Sequence, residues 1–333
     1  MPPLRWGVVG AGKITHDFVT AIQIFPDRHT VVAVGSGNKA NAERFAEEHN
    51  IPEACEGYES IATNANIDVV YIGNLNPQHY STTKLMLEHG KPVLCEKPFT
   101  MNEKHTRELV NLARCKNIFL MEAVWSRCFP AYRKAEELIS NGSIGDVLYA
   151  NVNFGFDLQK KDRITNKELG GGAILDIGVY CLQFQQFVFR GLQPTNIVVN
   201  GALTKDGVDG TTGALISYPD GKLASITCSA ELQMPNEGII VGTKGTLRLP
   251  NFWCPTQLIA HDQTYNFDLP QSEVEFRHMN SAGLSYEADE VKRCLEAGER
   301  ESPRITLDET IQLAKWMDTM RKAVGLQFPE DLE

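Results

Sequence analysis

Trp6-Gly7-Val8-Val9-Gly10-Ala11-Gly12-Lys13-Ile14-Thr15 carries a short apolar run into a glycine-rich turn, and the residues that follow read as a helix. Gly10 permits the tight turn out of the strand, and Gly12 lets a backbone approach a pyrophosphate with no side chain between them. The helix that follows offers unpaired N–H groups and the positive end of its dipole to phosphates. Thr15 stands where a third glycine is usual, so the fingerprint reads GxGxxT. By itself it is also compatible with an ordinary turn.

Outward from that turn, short apolar runs alternate with helical ones. Strands are expected at Thr30–Val34, Asp68–Gly73, Pro92–Cys95 and Ile118–Met121, and helices at Ile14–Phe25, Asn41–His49, Gln78–Glu88 and Glu103–Arg114. This alternation implies a doubly wound parallel sheet covered on both faces. After about Ala123 the texture changes. One amphipathic helix over 131–141 precedes strand-like runs at Val147–Phe156, Ile197–Ala202, Gly213–Ser217, Lys222–Leu232, Gly238–Val241 and Thr246–Leu249. Turns such as Pro219-Asp220-Gly221 and Thr243-Lys244-Gly245 join antiparallel neighbours. The expected architecture is α/β: a Rossmann domain over residues 1–123, then an α+β substrate-binding and dimerisation domain over 124–333 with a large, mostly antiparallel open sheet. The apolar alternation Ala224/Ile226/Cys228/Ala230 points to burial of that sheet against a second copy, hence a homodimer.

The 333 residues carry a net charge of −10, with 42% hydrophobic and 22% charged residues. An acidic chain lacks the basic surface that nucleic-acid binding needs, and no apolar run nears the ~20 residues of a membrane helix. The first residues, Met-Pro-Pro-Leu-Arg, are unlike a signal peptide, so a cytoplasmic location is expected. Eight scattered cysteines, with no CxxC and no His/Cys cluster at ligand spacing, read as reduced thiols, and no metal site is expected.

Beyond the second strand, Gly35-Ser36-Gly37-Asn38-Lys39 lacks the carboxylate that accepts from the ribose 2′-hydroxyl of NAD. Ser36, Asn38 and Lys39 instead suit a 2′-phosphate, which favours NADP(H). Cys95-Glu96-Lys97-Pro98 stands at the carboxyl end of a parallel strand, where open α/β sheets bind ligands. In Gly170-Gly171-Gly172-Ala173-Ile174-Leu175-Asp176-Ile177-Gly178-Val179-Tyr180, a helix would place Asp176 and Tyr180 on one face. Each alone is as readily a structural group. A phenol is a weak base at neutral pH unless an ammonium favours its phenolate.

These three motifs, in this order and at these intervals, resemble the Gfo/Idh/MocA oxidoreductase family over essentially the whole chain. Within it, VLCEKP at 93–98, LMEAVWSRCFP at 120–130, GGGAILDIGVYC at 170–181 and WCPT at 253–256 resemble the branch acting on trans-dihydrodiols of arenes and on D-xylose. Many family members have histidine at the position of Tyr180, and the tyrosine narrows the match. The resemblance implies NADP-dependent hydride transfer, with Tyr180 as acid/base, Lys97 lowering its pKa and Asp176 orienting substrate hydroxyls. It implies cofactor contacts from Gly10, Gly12, Lys13, Ile14, Asn76, Pro77, His79, Glu96 and Lys97, an apolar wall of Trp125 and Phe154, and a cis bond before Pro98. His79 could equally cap or pack, and the two aromatics could be plain core. Gly37 departs from an arginine expected there, and Ala202 and Gly210 depart from Arg and Asp. A sugar, anhydrosugar or dicarbonyl reductase is the rival within the family, and an NADP(H)-binding sensor without turnover the rival outside enzymes. The acid/base set argues against the sensor.

Overall fold

Six short strands, Leu4–Val9 (β1), His29–Ser36 (β2), Glu53–Glu56 (β3), Val69–Ile72 (β4), Val93–Glu96 (β5) and Leu120–Ala123 (β6), form one parallel sheet in the order β3-β2-β1-β4-β5-β6. Between them run Lys13–Gln23 (α1), Lys39–His49 (α2), Glu59–Thr63 (α3), His79–Glu88 (α4) and Glu103–Lys116 (α5). The computed structural model describes residues 2–332. The order reverses between β1 and β4, so the crevice outside their carboxyl ends is where such a sheet takes a ligand. The strands are short because they are buried on both faces: every residue of β4, β5 and β6 is buried. Phe18 of α1 lies parallel to Tyr71 of β4 at 3.8 Å between centroids and edge-on to Trp6 of β1 at 5.1 Å, which fixes α1 against the sheet. β3, with charged ends and no large apolar residue, is an edge strand that apolar periodicity gives no sign of.

The second sheet has eight strands. After Pro130–Ser140 (α6) come Val147–Gly155 (β7), Asp162–Thr165 (α7), Val179–Val188 (α8), Asn196–Leu203 (β8), Asp209–Ser217 (β9), Leu223–Ser229 (β10), Glu237–Gly242 (β11), Gly245–Pro250 (β12), Gln257–Ala260 (β13) and Gln263–Asn266 (β14). The order is β14-β13-β12-β11-β7-β10-β9-β8, antiparallel except for the central β7/β10 pair. The alternation Ala224, Ile226, Cys228 and Ala230 is buried, but against the helical layer of the same unit: Cys181 of α8 donates to the Thr227 carbonyl of β10. That pattern is therefore no sign of a second subunit. The opposite face is the open one, and it carries Val198 and Leu215, cross-strand neighbours that are 57% and 45% exposed.

The last helices are Leu284–Glu296 (α9) and Leu307–Ala323 (α10). By contacts the chain divides into two units, the first comprising residues up to Thr100 with Lys104–Trp125 and Leu269–Ile311, the second Met101–Glu103, Ser126–Asp268 and residues from Gln312 onward. The return of 269–311 to the first unit rests on Asp17 of α1. Its buried carboxylate accepts from the Arg277 and His278 amides at 2.7 and 2.9 Å, from His278 Nδ1 at 2.8 Å and from Ser281 Oγ at 2.8 Å. Among the described residues no helix is long and apolar enough to cross a membrane, and none of the eight cysteines is in a disulfide.

Candidate active site

In the first unit the glycine turn has the expected form. Gly10 adopts φ +94°, and a Cβ there would lie 2.8 Å from the Gly73 carbonyl oxygen, so both conformation and space demand glycine. Gly12 caps the start of α1, and nothing lies within 4 Å of where its Cβ would stand. No side chain caps α1, and no acidic residue occupies its first turn, so the N–H groups after Lys13 and Ile14 are available to an anion. Thr15 is buried and donates from Oγ1 to the Gly73 carbonyl at 3.4 Å. The hydroxyl bonds α1 to the exit of β4, which is how this chain does without the third glycine.

At the end of β2, Ser36 is buried while Asn38 caps α2, its side chain accepting from the Asn41 amide at 3.1 Å. Lys39 is exposed, 3.7 Å from Glu43, and a Cβ on Gly37 would meet nothing. The first turn of α2 also holds no acid. Asn76 and Pro77 form the short turn that opens α4, ahead of His79. His79 is buried between the exits of β4 and β5, with Nδ1 2.9 Å from the Pro98 carbonyl and Nε2 3.2 Å from the Asn74 carbonyl. Burial pulls its imidazole below the ordinary value despite those carbonyls, and the neutral ring has one N–H to donate to them. The Lys97–Pro98 bond is cis. Trp125 is buried just beyond β6.

Glu96 accepts from the Tyr71 hydroxyl at 2.8 Å and from the Lys97 amide at 3.2 Å. Burial raises its pKa while the Lys97 ammonium opposes the rise. Behind it, Glu287 of α9 is fully buried with no hydrogen-bond partner on either oxygen. Burial, then the charge of Glu96, pushes the Glu287 carboxyl well above its ordinary value. Asn74 supplies a further unsatisfied atom, a buried Oδ1 without a donor, one residue past Gly73. Neither residue is conspicuous in sequence. Glu287 looks like a solvated helix position, and Asn74 is marked only by its place at the switch point of the sheet.

In the second unit the segment with Asp176 is not a plain α-helix. Residues Ile174–Gly178 form a π-helical turn, the Val179 amide donating to the Ile174 carbonyl, and α8 follows with Tyr180 in its first turn. Such turns insert a residue and re-aim side chains, and they recur at functional sites. Asp176 receives Arg163 of α7 in a two-pronged pair, Nη1 to Oδ1 at 2.7 Å and Nη2 to Oδ2 at 3.3 Å. Tyr180 is 8% exposed and stands edge-on to Phe154 of β7, centroids 5.4 Å apart. Phe154 also touches Phe156, Phe252 and Trp253, so the phenol borders an aromatic cluster.

Residues 4–123 match the oxidoreductase family with an NAD-binding Rossmann fold, and residues 132–248 match the GFO/IDH/MocA C-terminal domain. The chain is 42% identical over 330 residues to a trans-1,2-dihydrobenzene-1,2-diol dehydrogenase of Homo sapiens, covering 98% of this chain and 99% of that one. The chain belongs to the Gfo/Idh/MocA oxidoreductase family. A dehydrogenase of the same name from Danio rerio is 41% identical over 330 residues, with the same 98% and 99% coverage. Among solved structures, a 3-ketoreductase from Actinomadura kijaniata, in complex with NADP and TDP-benzene, superimposes with a TM-score of 0.79 at 25% identity, over 96% of this chain and 98% of that one.

As a Gfo/Idh/MocA protein this chain is an NAD(P)-dependent oxidoreductase of a small molecule. Its own residues fit the dinucleotide. The uncapped helix start, the open space beside Gly12 and the absence of acids in the first turns of α1 and α2 are what a phosphate-bearing ligand requires. The second unit of this Gfo/Idh/MocA protein also contains Asp209, which no sequence motif marks. Its carboxylate accepts from the Ile174 amide at 2.8 Å and so starts the π-helical turn, while the space beside it is filled by Gly172, at φ +116°.

Burial pushes Asp209 up to about 6, against the pull of the amides of Ile174, Asp209 and Ala173. A raised carboxyl pKa means that the folded state holds more protons than the unfolded one between about pH 4 and 6, so its stability falls as pH rises through that window. Asp209→Asn keeps an acceptor for Ile174 and removes the buried charge. Its melting temperature is expected to gain on wild type as pH rises from about 4 to 7, by up to about 3 kcal/mol of relative stability. A constant difference across that range would reject this role.

Proposed function

We propose that the chain transfers hydride between NADP(H) and a vicinal diol or cyclic sugar, with trans-dihydrodiols of arenes and D-xylose as substrates. The observation that carries this reading is the full-length identity of about two residues in five to trans-1,2-dihydrobenzene-1,2-diol dehydrogenases. A phenol bordered by aromatic rings, one helical turn from a carboxylate, supports it: the rings suit an apolar diol face, and the polar groups suit its hydroxyls.

When bound, the nicotinamide supplies or takes the hydride. Tyr180 takes the hydroxyl proton in oxidation and returns it in reduction. Lys97, by its positive charge, favours the phenolate of Tyr180. Asp176 accepts from a substrate hydroxyl. Arg163 holds its two oxygens at 2.7 and 3.3 Å and so fixes the carboxylate's orientation. Gly10, Gly12, Lys13 and Ile14 hold the pyrophosphate; Asn76, Pro77, His79, Glu96 and Lys97 line the nicotinamide end; Trp125 and Phe154 pack beside the substrate. Two copies associate through the open face of the second sheet, which carries Val198 and Leu215. A sedimentation profile of monomer alone would reject that association.

NADP is preferred over NAD because Ser36, Asn38 and Lys39 stand where an NAD enzyme places a carboxylate. Lys39→Ala should lower the NADP:NAD ratio of kcat/KM by roughly tenfold, as loss of one charge-assisted bond to phosphate would. An unchanged ratio would remove Lys39 from cofactor selection. Lys97→Met should lower kcat by on the order of 100-fold and move the rise in rate to higher pH; wild-type turnover at neutral pH would reject its role. Reduction of a keto-sugar is the second reading, favoured by the 3-ketoreductase among the structural relatives. A panel of dihydrodiols, aldoses and keto-sugars, followed by NADPH absorbance, separates the two.

A further inference from the structure

His16 of α1 and Glu48 and His49 of α2 bring three ligand atoms within 4.8 Å of one another. His16 Nδ1 is 3.0 Å from His49 Nε2 and 3.2 Å from Glu48 Oε1. Two ligands held at about 2.0–2.1 Å on a tetrahedral zinc lie about 3.3 Å apart. His16 Nδ1 is thus at about the spacing of a coordination edge from each of its two partners.

Hydrogen bonding orients the ligands. His16 Nε2 lies 3.0 Å from the Glu275 carbonyl, which only accepts, so the proton of the neutral ring belongs on Nε2 and the lone pair on Nδ1. A carbonyl fixing the far nitrogen of a ligating histidine is the usual outer support of a metal site. With His16 Nδ1 as acceptor, the 3.0 Å contact is the His49 Nε2–H donating to it, a proton that a bound cation would displace to His49 Nδ1. Both rings are buried and packed edge-on at 4.8 Å, and His49 also lies 4.4 Å from Phe45. Glu48 is 44% exposed, which gives a route in from solvent, and its other charged neighbour, Arg277, is 3.6 Å away, beyond hydrogen-bond reach.

Two imidazole nitrogens and a carboxylate thus bring three donor atoms within 4.8 Å of one another. We propose that a divalent transition cation joins them: His16, His49 and Glu48 form a zinc-class site that fastens the end of α2 to α1, one residue past Thr15. Imidazole and carboxylate donors suit zinc and its neighbours rather than magnesium or calcium. Sequence spacing hides the site, because the histidines lie 33 residues apart. The role is a brace for the helix behind the dinucleotide turn, and it is independent of the substrate assigned above.

The test is calorimetric titration of the full chain with ZnCl₂ near neutral pH, paired with Co²⁺ titration read by visible d–d absorption. One equivalent of Zn²⁺ per chain is expected, with a tetrahedral Co²⁺ spectrum and a melting temperature that rises with added zinc. His16→Gln and His49→Gln should weaken affinity by on the order of 100-fold, and the exposed Glu48→Gln by on the order of 10-fold with the metal-free melting temperature unchanged. Cys115→Ser, at the exposed cysteine, should leave binding as it was. Absence of stoichiometric binding, or affinity retained in Glu48→Gln and His49→Gln, would overturn the proposal.

Discussion

Tyr180→Phe is expected to lower kcat by about 10²–10⁴-fold and leave NADPH affinity as it is. The substitution removes one oxygen. The ring remains, and with it the edge-on contact to Phe154 and the start of α8, so the second unit has no packing to lose. What disappears is the group proposed to exchange a proton with the substrate hydroxyl. If KM alone rises, the hydroxyl serves binding and not proton transfer. If turnover is near normal, some other residue is the acid/base and the assignment falls. The pH profile adds a second readout: Lys97→Met shifts it upward, whereas a substitution that merely loosened the fold would lower the rate at every pH.

Asp17→Ala is expected to be the most destabilising change in the first unit, by about 3–5 kcal/mol. Four donors converge on this buried carboxylate, two of them backbone amides. Removing the acceptor leaves those amides unsatisfied where the returning segment meets α1. Burial pushes the Asp17 pKa up, but the bonds from His278, Arg277 and Ser281 outweigh it, and the net shift is downward. For a carboxyl lowered in the folded state the stabilisation is present above the ordinary carboxylate range and lost as pH falls through it. Wild type and variant should therefore converge in stability under acid and separate near neutrality. Because α1 carries the dinucleotide turn, NADPH affinity should fall together with melting temperature. A variant as stable as wild type at pH 7 would show that the return of 269–311 is held by other contacts.

The parallel sheet was legible because strands buried on both faces appear as short apolar runs, and Gly10 was legible because only glycine suits a turn at that φ against β4. The return of 269–311 was not, since α9 shows the same amphipathic pattern whichever unit it packs on. The parallel β7/β10 pair was hidden for a related reason: alternation shows which face is buried but not the direction of a neighbour. It also misattributed the buried face of β10, whose apolar residues meet a helix of their own unit. Lys97 in the first unit, and Asp176 and Tyr180 in the second, are marked in the sequence by their motifs, and their roles are proposals. Arg163, Asp209 and Glu287 were not, because each acts through a partner distant in sequence: Asp176, the Ile174 amide and Glu96 respectively.

The central claim is direct hydride exchange between a diol or sugar carbon and the nicotinamide of NADP. Incubating the protein with NADP⁺ and D-xylose deuterated at the anomeric carbon, then analysing the reduced nucleotide by mass spectrometry, tests it most directly. The account predicts one deuterium per nucleotide on the nicotinamide ring, a slower rate than with unlabelled sugar, and the same transfer from a dihydrodiol labelled at its carbinol carbons. Reduced nucleotide without label, or none formed from either substrate by protein that binds NADPH, would contradict it.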